Sequence, residues 1–397
     1  LQNSEPQAVD VTVNVGGDSR AERFLGTFDQ ISRLSLDIDR NYGNKRVLTD
    51  FPLVNDGSKW TGTINKLIVG FDYTITGHAF KCTNCRNNLY IPNYDNYTVS
   101  TLAGTGSSGS TNGNISSAEF NQPKGLVVDY YGNVIVADYY NHLIRKISTS
   151  GIVTTLAGSG SEGFNDANSK EASFSFPFYL ILDSYGNIIV SDYGNHIIRK
   201  IDSSGNVSTI AGSVGVVGSN DGHRSSAKFN YPTGLAQDSQ GNILVSDYQN
   251  HLIRKIDSSG YVSTLAGIAE VSGNTNGQGT QAKFNQPYGI VVDSSDNIYV
   301  ADYANNLIRK IDIYGNVTTF AGSGDRSTID GNGVNASFSG PIGLEIDSSN
   351  NLYVSEYKGH VIRKINTLGD VITIAGIVGS SGSTDGEGTS ASLYKPY

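Results

Sequence analysis

Short apolar runs separated by turn residues follow one another along most of the chain. In one stretch these runs cover residues 126–128, 134–137, 143–147 and 152–156. β-Branched residues dominate the runs and none is long enough for a helix, so the pattern predicts four β-strands. The connection 129–133 combines Asp, Gly and Asn, which favour tight turns. Because the runs place apolar residues on both faces, we expect both faces of each sheet to be buried.

The four-run unit recurs five times. The copies begin at five phenylalanines: Phe120, Phe174, Phe229, Phe284 and Phe338. Successive copies are therefore 54, 55, 55 and 54 residues apart. Connections rich in Gly and Ser separate the copies, and one more connection is present than there are complete units. Four antiparallel strands per unit in a radial array form a β-propeller, and ring closure protects the end sheets that a linear array would expose.

A motif at the start of the third run identifies the repeat. It is Ala-Asp-Tyr-x-Asn-His-Leu-Ile-Arg-Lys-Ile over residues 137–147, and it resembles the NHL repeat. The resemblance extends over about residues 97–397 and implies a β-propeller, typically of six blades. It does not specify an activity, because NHL proteins include binding platforms, enzymes and surface proteins. We predict an all-β fold, with an NHL-type propeller of five full blades plus a partial sixth over residues 96–397, preceded by a small β-sandwich.

Residues 1–95 lack the repeat and are predicted to form a separate domain. Alternating patterns indicate strands at 9–13 and 31–38, and two more strands are expected at 60–64 and 71–76. Several short strands in a segment of this length suggest an immunoglobulin-like sandwich. The last two of these strands resemble the late strands of sandwich modules in bacterial surface proteins, which implies a spacer or adhesive role.

Closure of the ring leaves three alternatives open. Residues 97–104 match a fourth strand without a preceding unit, and residues 393–397 match the start of a new unit. We expect the native chain to continue past Tyr397 by about one unit and complete a sixth blade. Alternatively, residues 88–94 are a decayed partial blade, or another subunit fills the gap.

Composition narrows the classes of partner and compartment. Lys+Arg 28 against Asp+Glu 37 gives a net charge of −9, which disfavours nucleic acid because phosphate contacts need a basic face. No apolar run approaches the roughly 18 residues of a membrane span. The sequence begins at Leu1 and has no Met; removal of a signal peptide and an oxidising compartment explain this, as does drift in an Asn-rich genome. We predict a secreted or cell-surface protein.

One recurring position, just before the third strand, carries a histidine or an asparagine in every unit. The five residues are His142, His196, His251, Asn306 and His360. A ring of metal ligands is one hypothesis, but a metal needs ligands within about 2.1 Å of a single ion, and equivalent positions on successive blades lie far apart. We therefore predict a structural role, which Asn can share because it also forms hydrogen bonds.

An arginine and an acidic residue recur with the same period. The arginines of the third strands are Arg145, Arg199, Arg254, Arg309 and Arg363. The acidic residues that end the second strands are Asp138, Asp192, Asp247, Asp302 and Glu356. Pairing of each planar guanidinium with a carboxylate, within or between blades, is favoured over a basic ring that binds anions.

The loops between second and third strands carry the binding hypothesis. A constant tyrosine stands there in every unit: Tyr139, Tyr193, Tyr248, Tyr303 and Tyr357. The next residue varies: Tyr140, Gly194, Gln249, Ala304 and Lys358. In NHL proteins such loops commonly contact partners, so the resemblance implies a face of adjustable specificity. Packing of the tyrosine ring between blades, with its hydroxyl in water, is the alternative.

Departures from the repeat are candidates for a unique site. Glu345 and Gln237 replace apolar residues at adjacent positions of the innermost strand, so they cannot both face the channel. The connections that begin at Asp330 and Asp385 offer oxygen ligands for calcium, although turn formation is the favoured interpretation. No other cofactor is expected.

The two cysteines form a lone Cys-x-x-Cys motif at Cys82 and Cys85. Zinc would need two more ligands, and His78 is the one candidate nearby. A redox motif would need a helix that this β-rich context lacks. A local disulfide between the two cysteines fits a secreted protein.

Three functions from different classes fit these observations. The first is a non-enzymatic extracellular or surface scaffold that binds a protein partner or self-assembles into a homo-oligomer. The second is a propeller hydrolase or lyase with a metal-dependent site at the channel mouth. The third is a carbohydrate-binding module that binds a glycan through the repeated tyrosines. The first is preferred, because the candidate residues form no recognisable triad, zinc motif or acid pair.

Overall fold

The protein consists of two compact units, Leu1–Pro92 and Asn93–Tyr397. The structure, a computed structural model, describes residues 97–397 and six strands that precede them. Among the described residues, no helix has the length and apolar character needed to cross a bilayer.

Within the first unit the structure describes six strands, which form two sheets. They are β1 (Val11–Val15), β2 (Ile31–Arg40), β3 (Lys45–Pro52), β4 (Val54–Asn55), β5 (Trp60–Ile64) and β6 (Tyr73–Lys81). The strand orders are β1-β5-β4 and β3-β2-β6, and β1 runs parallel to β5. The immunoglobulin-like packing of these sheets stays a prediction, and so does the disulfide, because Cys82 and Cys85 lie outside the described residues.

The second unit contains five blades of four antiparallel strands each. Blade 1 contains β9 (Pro123–Val128), β10 (Val134–Asp138), β11 (Leu143–Ile147) and β12 (Ile152–Ala157). Blade 2 contains β13 (Pro177–Leu182), β14 (Ile188–Asp192), β15 (Ile197–Ile201) and β16 (Val207–Ala211). Blade 3 contains β18 (Pro232–Gln237), β19 (Ile243–Asp247), β20 (Leu252–Ile256) and β21 (Tyr261–Ala266). Blade 4 contains β23 (Pro287–Val292), β24 (Ile298–Asp302), β25 (Leu307–Ile311) and β26 (Asn316–Ala321). Blade 5 contains β28 (Pro341–Ile346), β29 (Leu352–Glu356), β30 (Val361–Ile365) and β31 (Asp370–Ala375).

Further two-residue strands lie at the outer edges of the sheets. They are β7 (Thr98–Val99), β8 (Gly113–Asn114), β17 (Gly222–His223), β22 (Gly277–Gln278), β27 (Gly331–Asn332) and β32 (Gly386–Glu387). Four of them extend blades 1, 3, 4 and 5, whereas β32 pairs with β7 in a separate two-stranded sheet. The predicted all-β propeller, with five full blades and part of another sheet, is confirmed.

Local turn chemistry sets the strand boundaries. In blade 1 the Asp129 carboxylate accepts hydrogen bonds from the backbone N–H groups of Tyr131 and Asn133, at 2.9 and 2.8 Å. Gly132 has φ +80° in the same turn, a conformation that glycine adopts without steric cost. The turn returns the chain antiparallel to β9, as the Asp-Gly-Asn pattern predicts.

The core lies between successive blades. Ile135 and Ile144 of blade 1 pack on Phe174 and Leu180 of blade 2, and all four side chains are buried. Equivalent clusters join blades 2 and 3, blades 3 and 4, and blades 4 and 5. Sheets stacked in this way need apolar residues on both faces, which explains why the strands do not alternate.

Candidate binding site on the tyrosine face

One end of the propeller is formed by the loops between the second and third strands. We call it the tyrosine face, defined by Tyr139, Tyr193, Tyr248, Tyr303 and Tyr357. In blades 1 to 4 each tyrosine begins a 3₁₀ turn: Tyr139–Asn141, Tyr193–Asn195, Tyr248–Asn250 and Tyr303–Asn305. The turns between the first and second strands lie at the opposite end, because the strands are antiparallel.

A buried ion pair supports each loop of this face. In blade 1 the Arg145 guanidinium donates to the Asp138 carboxylate at 2.6 Å, and both side chains are fully buried. The other Asp138 oxygen accepts from the Asn121 backbone at 2.7 Å, and Asn141 donates to Asp138 at 2.8 Å. The carboxylate is thus saturated with donors, as a buried charge requires.

The same arrangement recurs around the ring. The matching pairs are Arg199–Asp192 and Arg254–Asp247 at 2.8 Å, Arg309–Asp302 at 2.9 Å, and Arg363–Glu356. Each guanidinium also lies about 5 Å from the ring centroid of its repeat phenylalanine, such as Phe120 in blade 1. The structure places the predicted arginines inside the blades and pairs each with the predicted acidic residue.

The recurring histidines join one blade to the next. Nδ1 of His142 accepts a hydrogen bond from the backbone N–H of Phe176 in the following blade, at 3.2 Å. His196, His251 and His360 make the same bond to Tyr231, Gln286 and Lys395, and the Asn306 amide oxygen makes it to Gly340. All five residues have positive φ, between 54° and 60°, which Asn and His tolerate better than most residues.

The imidazole accepts this hydrogen bond in its neutral form, and its lowered pKa favours that form. Nδ1 accepts a hydrogen bond only when it carries no proton. Burial lowers the pKa of His142, His196 and His251 below the usual 6.5, because desolvation disfavours the charged form. Within the described part of the chain, no group of three His, Cys, Asp or Glu residues could hold a metal ion.

Aromatic rings form a continuous layer across the tyrosine face. The Tyr139 and Tyr193 ring centroids are 6.2 Å apart, and Phe178 lies 5.4 Å from Tyr193. Tyr288 connects the two halves of the layer, at 5.6 Å from Phe178 and 4.9 Å from Tyr248. The layer continues from Tyr288 to Tyr303 at 5.4 Å. Stacked, tilted and edge contacts of this kind favour a fixed arrangement of the rings.

Two members of this layer, Phe178 and Tyr288, are not among the site residues predicted from the sequence. Each is the second residue of an innermost strand, after the proline that begins it. The equivalent residues in the other blades are Lys124, Thr233 and Ile342. Variation at a position that follows a constant proline is the signal that could have identified them.

The residues after the constant tyrosines differ in exposure. Tyr140 is 46% exposed, and Ala304 is also exposed. Gln249 and Lys358 are half-buried, and the Lys358 ammonium lies 4.9 Å from the Tyr303 ring centroid. A side chain at Gly194 would meet Ser175 Oγ at 2.3 Å. The face therefore combines one constant tyrosine per blade with neighbouring side chains that differ from blade to blade.

A cavity of about 230 Å³ lies below this layer. Aromatic side chains, including Tyr179, Tyr288 and Tyr353, form much of its lining, and Glu345 contributes a carboxylate. The Tyr179 hydroxyl donates to the Leu344 carbonyl at 3.1 Å and lies 3.5 Å from Glu345. Although the Glu345 residue as a whole is exposed, desolvation of its carboxyl by the surrounding groups raises the pKa of that carboxyl, and the hydrogen bond from Tyr179 opposes this effect.

Tyr179 crosses the axis from blade 2 to blade 5, and sequence reasoning missed it. The other four blades have glycine at this position: Gly125, Gly234, Gly289 and Gly343. A Cβ at Gly289 would lie 2.4 Å from the Ile342 carbonyl, so glycine there permits close approach of neighbouring innermost strands. One tyrosine among four glycines is the signal that could have identified the crossing residue.

The other candidate residues form hydrogen bonds or ion pairs with other parts of the propeller. Gln237 accepts from the Ser184 backbone at 2.9 Å. It does not line the cavity that Glu345 lines, in agreement with alternate strand faces. Asp330 pairs with Arg363 at 2.8 Å, and Asp385 accepts from the Thr101 backbone at 2.9 Å. Both acidic residues therefore take part in strand connections.

Comparisons with known proteins agree with the fold. The NHL repeat family matches residues 120–147, 229–256 and 284–311. The chain is 30% identical over 312 residues to NHL repeat-containing protein 2 of Gallus gallus. The alignment covers 68% of this chain and 42% of that relative, so the chain spans about two fifths of its length. The chain carries NHL repeats and folds as a β-propeller.

Two solved structures share the fold. A structural genomics protein of unknown function from Bacteroides thetaiotaomicron has a TM-score of 0.60 at 20% identity, over 91% of this chain and 84% of that chain. An auxiliary nutrient binding protein from Bacteroides ovatus has a TM-score of 0.56 at 17% identity, over 76% of this chain and 70% of that chain. At these identities the likeness concerns architecture alone.

Proposed function

We propose that this chain is a non-enzymatic binding scaffold, outside the cell or at its surface, whose propeller engages a protein partner through the tyrosine face. The observation that carries the proposal is the aromatic layer that spans this face above five buried ion pairs. Tyrosines held in place provide large contact area at little cost in side-chain entropy. The varied residues beside them, such as Tyr140 and Lys358, would supply specificity.

The geometry favours binding over catalysis. A hydrolase or lyase needs a nucleophile, acid or base that converges with a second group on the reacting atom. Glu345 and Tyr179 meet in the axial cavity, but residues 97–397 contain no group of three His, Cys, Asp or Glu residues that could hold a metal ion there. The Tyr179 hydroxyl donates towards a backbone carbonyl and a carboxylate of another blade. This arrangement is typical of a structural contact between blades.

The test compares variants at the two ends of the propeller. Peptides selected from a displayed random library on the wild-type protein serve as the probe. Tyr140→Ala combined with Lys358→Ala should weaken their binding by at least about tenfold, because tyrosine is among the residues that carry most interface energy and the Lys358 charge contributes electrostatic complementarity. The measurement is the dissociation constant by biolayer interferometry.

Tyr185→Ala is the matched control, since Tyr185 is 88% exposed at the opposite end. This variant should leave the dissociation constant unchanged. Loss of binding in the control, or retention of full affinity in the double variant, contradicts the proposal. If a parallel glycan array shows binding and the peptide library yields no enriched peptide, the partner is a carbohydrate and not a protein.

A further inference from the structure

One position at the outer edge of the blades carries an asparagine in blades 1 and 4 and an aspartate in blades 2, 3 and 5. The five residues are Asn112, Asp166, Asp221, Asn276 and Asp330. Each aspartate forms a second ion pair with the buried arginine of its blade, at 2.7, 2.8 and 2.8 Å. Each asparagine oxygen accepts from the same arginine nitrogen, Nη2, at 2.9 and 2.8 Å. The buried arginine therefore pairs with two carboxylates in three blades and with one carboxylate in blades 1 and 4.

The amide of Asn112 fits this position less well than a carboxylate does. In blade 2 one oxygen of Asp166 accepts from Arg199, and the other accepts the Thr209 backbone N–H at 3.0 Å. Thr155 is the equivalent threonine of blade 1, and the Asn112 Nδ2 lies 3.4 Å from its hydroxyl. An amide nitrogen only donates, so it cannot accept the N–H that an aspartate oxygen accepts. Exchange of this nitrogen for an oxygen would supply the acceptor that blade 1 lacks.

Both asparagines precede a glycine, as Asn112-Gly113 and Asn276-Gly277. The side-chain amide of an asparagine can react with the backbone nitrogen of the next residue, and glycine has no Cβ to hinder this approach. Both asparagines are exposed to water, and their glycines begin the two-residue edge strands β8 and β22. Edge segments with so few hydrogen bonds open locally at small cost in free energy, which frees the glycine nitrogen. The two positions therefore combine a reactive dipeptide with access to water.

We propose that Asn112 and Asn276 are sites of spontaneous deamidation, and that the fold directs the reaction to aspartate. The nitrogen of the following glycine attacks Cγ, the new C–N bond closes a succinimide ring, and the Cγ–Nδ2 bond breaks. Nδ2 leaves as ammonia with the proton of the glycine N–H. Water then adds its hydroxyl to Cγ and its proton to the ring nitrogen, and the bond between these two atoms breaks. The peptide backbone is restored and the side chain is a carboxylate.

The buried arginine selects aspartate over isoaspartate. Its Nη2 group donates to the side-chain oxygen, so it polarises Cγ and stabilises the negative charge that develops on this oxygen in both steps. Addition of water to the main-chain carbonyl would instead give isoaspartate, whose extra backbone atom does not fit the pairing of Gly113 with Val153. The aspartate product gains the ion pair that Asp221 forms in blade 3. This modification is independent of binding at the tyrosine face.

A further Asn-Gly dipeptide, Asn332-Gly333, provides an internal comparison. Asn332 is also exposed, but its Nδ2 donates to the Asp370 carboxylate at 2.8 Å and to the Leu368 carbonyl at 3.1 Å. Within residues 97–397, no arginine donates to its side-chain oxygen. Deamidation would bring a second carboxylate against Asp370, and two like charges at this distance oppose each other. We therefore expect slow conversion at Asn332.

The test incubates the full chain in heavy-oxygen water at neutral pH and follows the three dipeptides by peptide mass spectrometry. Asn112 and Asn276 should each take up one heavy oxygen, mainly as aspartate, at least about tenfold faster than Asn332. In urea the three sites should react at similar rates and yield isoaspartate as well, because the arginines no longer contact them. No conversion, equal rates at the three sites of the folded chain, or isoaspartate as the main product at Asn112 and Asn276 overturns the proposal.

Gly277→Ala tests the chemistry at one site and keeps the other as its control. Blade 2 already has alanine there, since Ala167 follows Asp166. The variant should slow conversion of Asn276 by at least about tenfold, because a Cβ hinders the attacking nitrogen, and it should leave conversion of Asn112 unchanged. An unchanged rate at Asn276 contradicts the succinimide route.

Aspartate variants test the fit of the product. Asn112→Asp combined with Asn276→Asp should raise the melting temperature by about 1–2 °C, because each adds an ion pair. Asn332→Asp should lower it, because it places a carboxylate against Asp370. A fall for the double variant contradicts the assigned product site.

Discussion

Replacing Arg254 with methionine is expected to lower the free energy of unfolding by about 3–5 kcal/mol. Arg254 is fully buried and donates to the Asp247 carboxylate at 2.8 Å and to the Asn220 and Lys228 carbonyls at 3.0 Å. Methionine fills similar space but leaves the Asp247 charge and two carbonyls without their donor. Urea unfolding followed by circular dichroism measures the loss.

Lys255→Met is the matched control for this prediction. Lys255 follows Arg254 on β20, carries the same charge and is only half-buried, so its replacement should change the free energy of unfolding by less than about 1 kcal/mol. Adding Asp247→Asn to Arg254→Met should restore part of the stability, because it removes the unpaired charge. Equal losses for the two single variants would show that the buried pair does not support the blade.

Replacing His251 with asparagine is expected to preserve stability at pH 7.5 and to reduce its loss on acidification. The chain itself contains this replacement, since Asn306 accepts the Gly340 N–H at 3.1 Å where His251 accepts that of Gln286 at 3.0 Å. His251→Ala should lose about 1–3 kcal/mol at pH 7.5, because the Gln286 N–H then lacks its acceptor, and this difference from wild type should narrow as the pH falls. Melting temperatures from pH 5 to pH 8 test both variants.

The sign of the pH effect follows from the lowered pKa of His251. The unfolded chain binds a proton near pH 6.5, whereas the folded imidazole binds one only at lower pH. Stability from this group is therefore complete above pH 6.5 and is lost as the pH falls toward the folded pKa. His142 and His196 act in the same direction.

Buried aspartates act in the opposite direction, so the variant must be compared with the wild type at each pH. Burial raises the pKa of three of them to about 6: Asp192, Asp247 and Asp302. They favour the folded state as the pH falls through 6 toward their unfolded value of 3.8. The difference between His251→Asn and wild type isolates the imidazole. Parallel pH curves for the two proteins would contradict the role assigned to His251.

The repeated features of this fold could be predicted from the sequence, because residues of one unit or of two adjacent units determine each of them. The period of Arg254 and Asp247 matches in every repeat, and a guanidinium and a carboxylate that recur together favour pairing. The turn at Asp129 follows from local chemistry alone. The sixth sheet was also indicated, since residues 97–104 match a fourth strand.

The axial part of the site could not be predicted in the same way. Tyr179 and Glu345 are 166 residues apart, and they meet because blades 2 and 5 face each other across the axis. The contact between Tyr179 and Glu345 depends on the number of blades around the axis and on the size of the side chains on neighbouring innermost strands. Neither quantity follows from the pattern within a repeat. The sequence therefore indicates that Glu345 departs from the repeat, but it does not indicate that Tyr179 is its partner.

The most direct test of the tyrosine face as the binding surface is a hydrogen–deuterium exchange footprint of the full chain with a library-selected peptide bound. Binding through this face should slow exchange in residues 139–141, 193–195, 248–250, 303–305 and 357–359, and should leave exchange unchanged in the opposite turns at 129–133 and 183–187. Protection confined to the opposite turns, or spread over the outer strands, would contradict it.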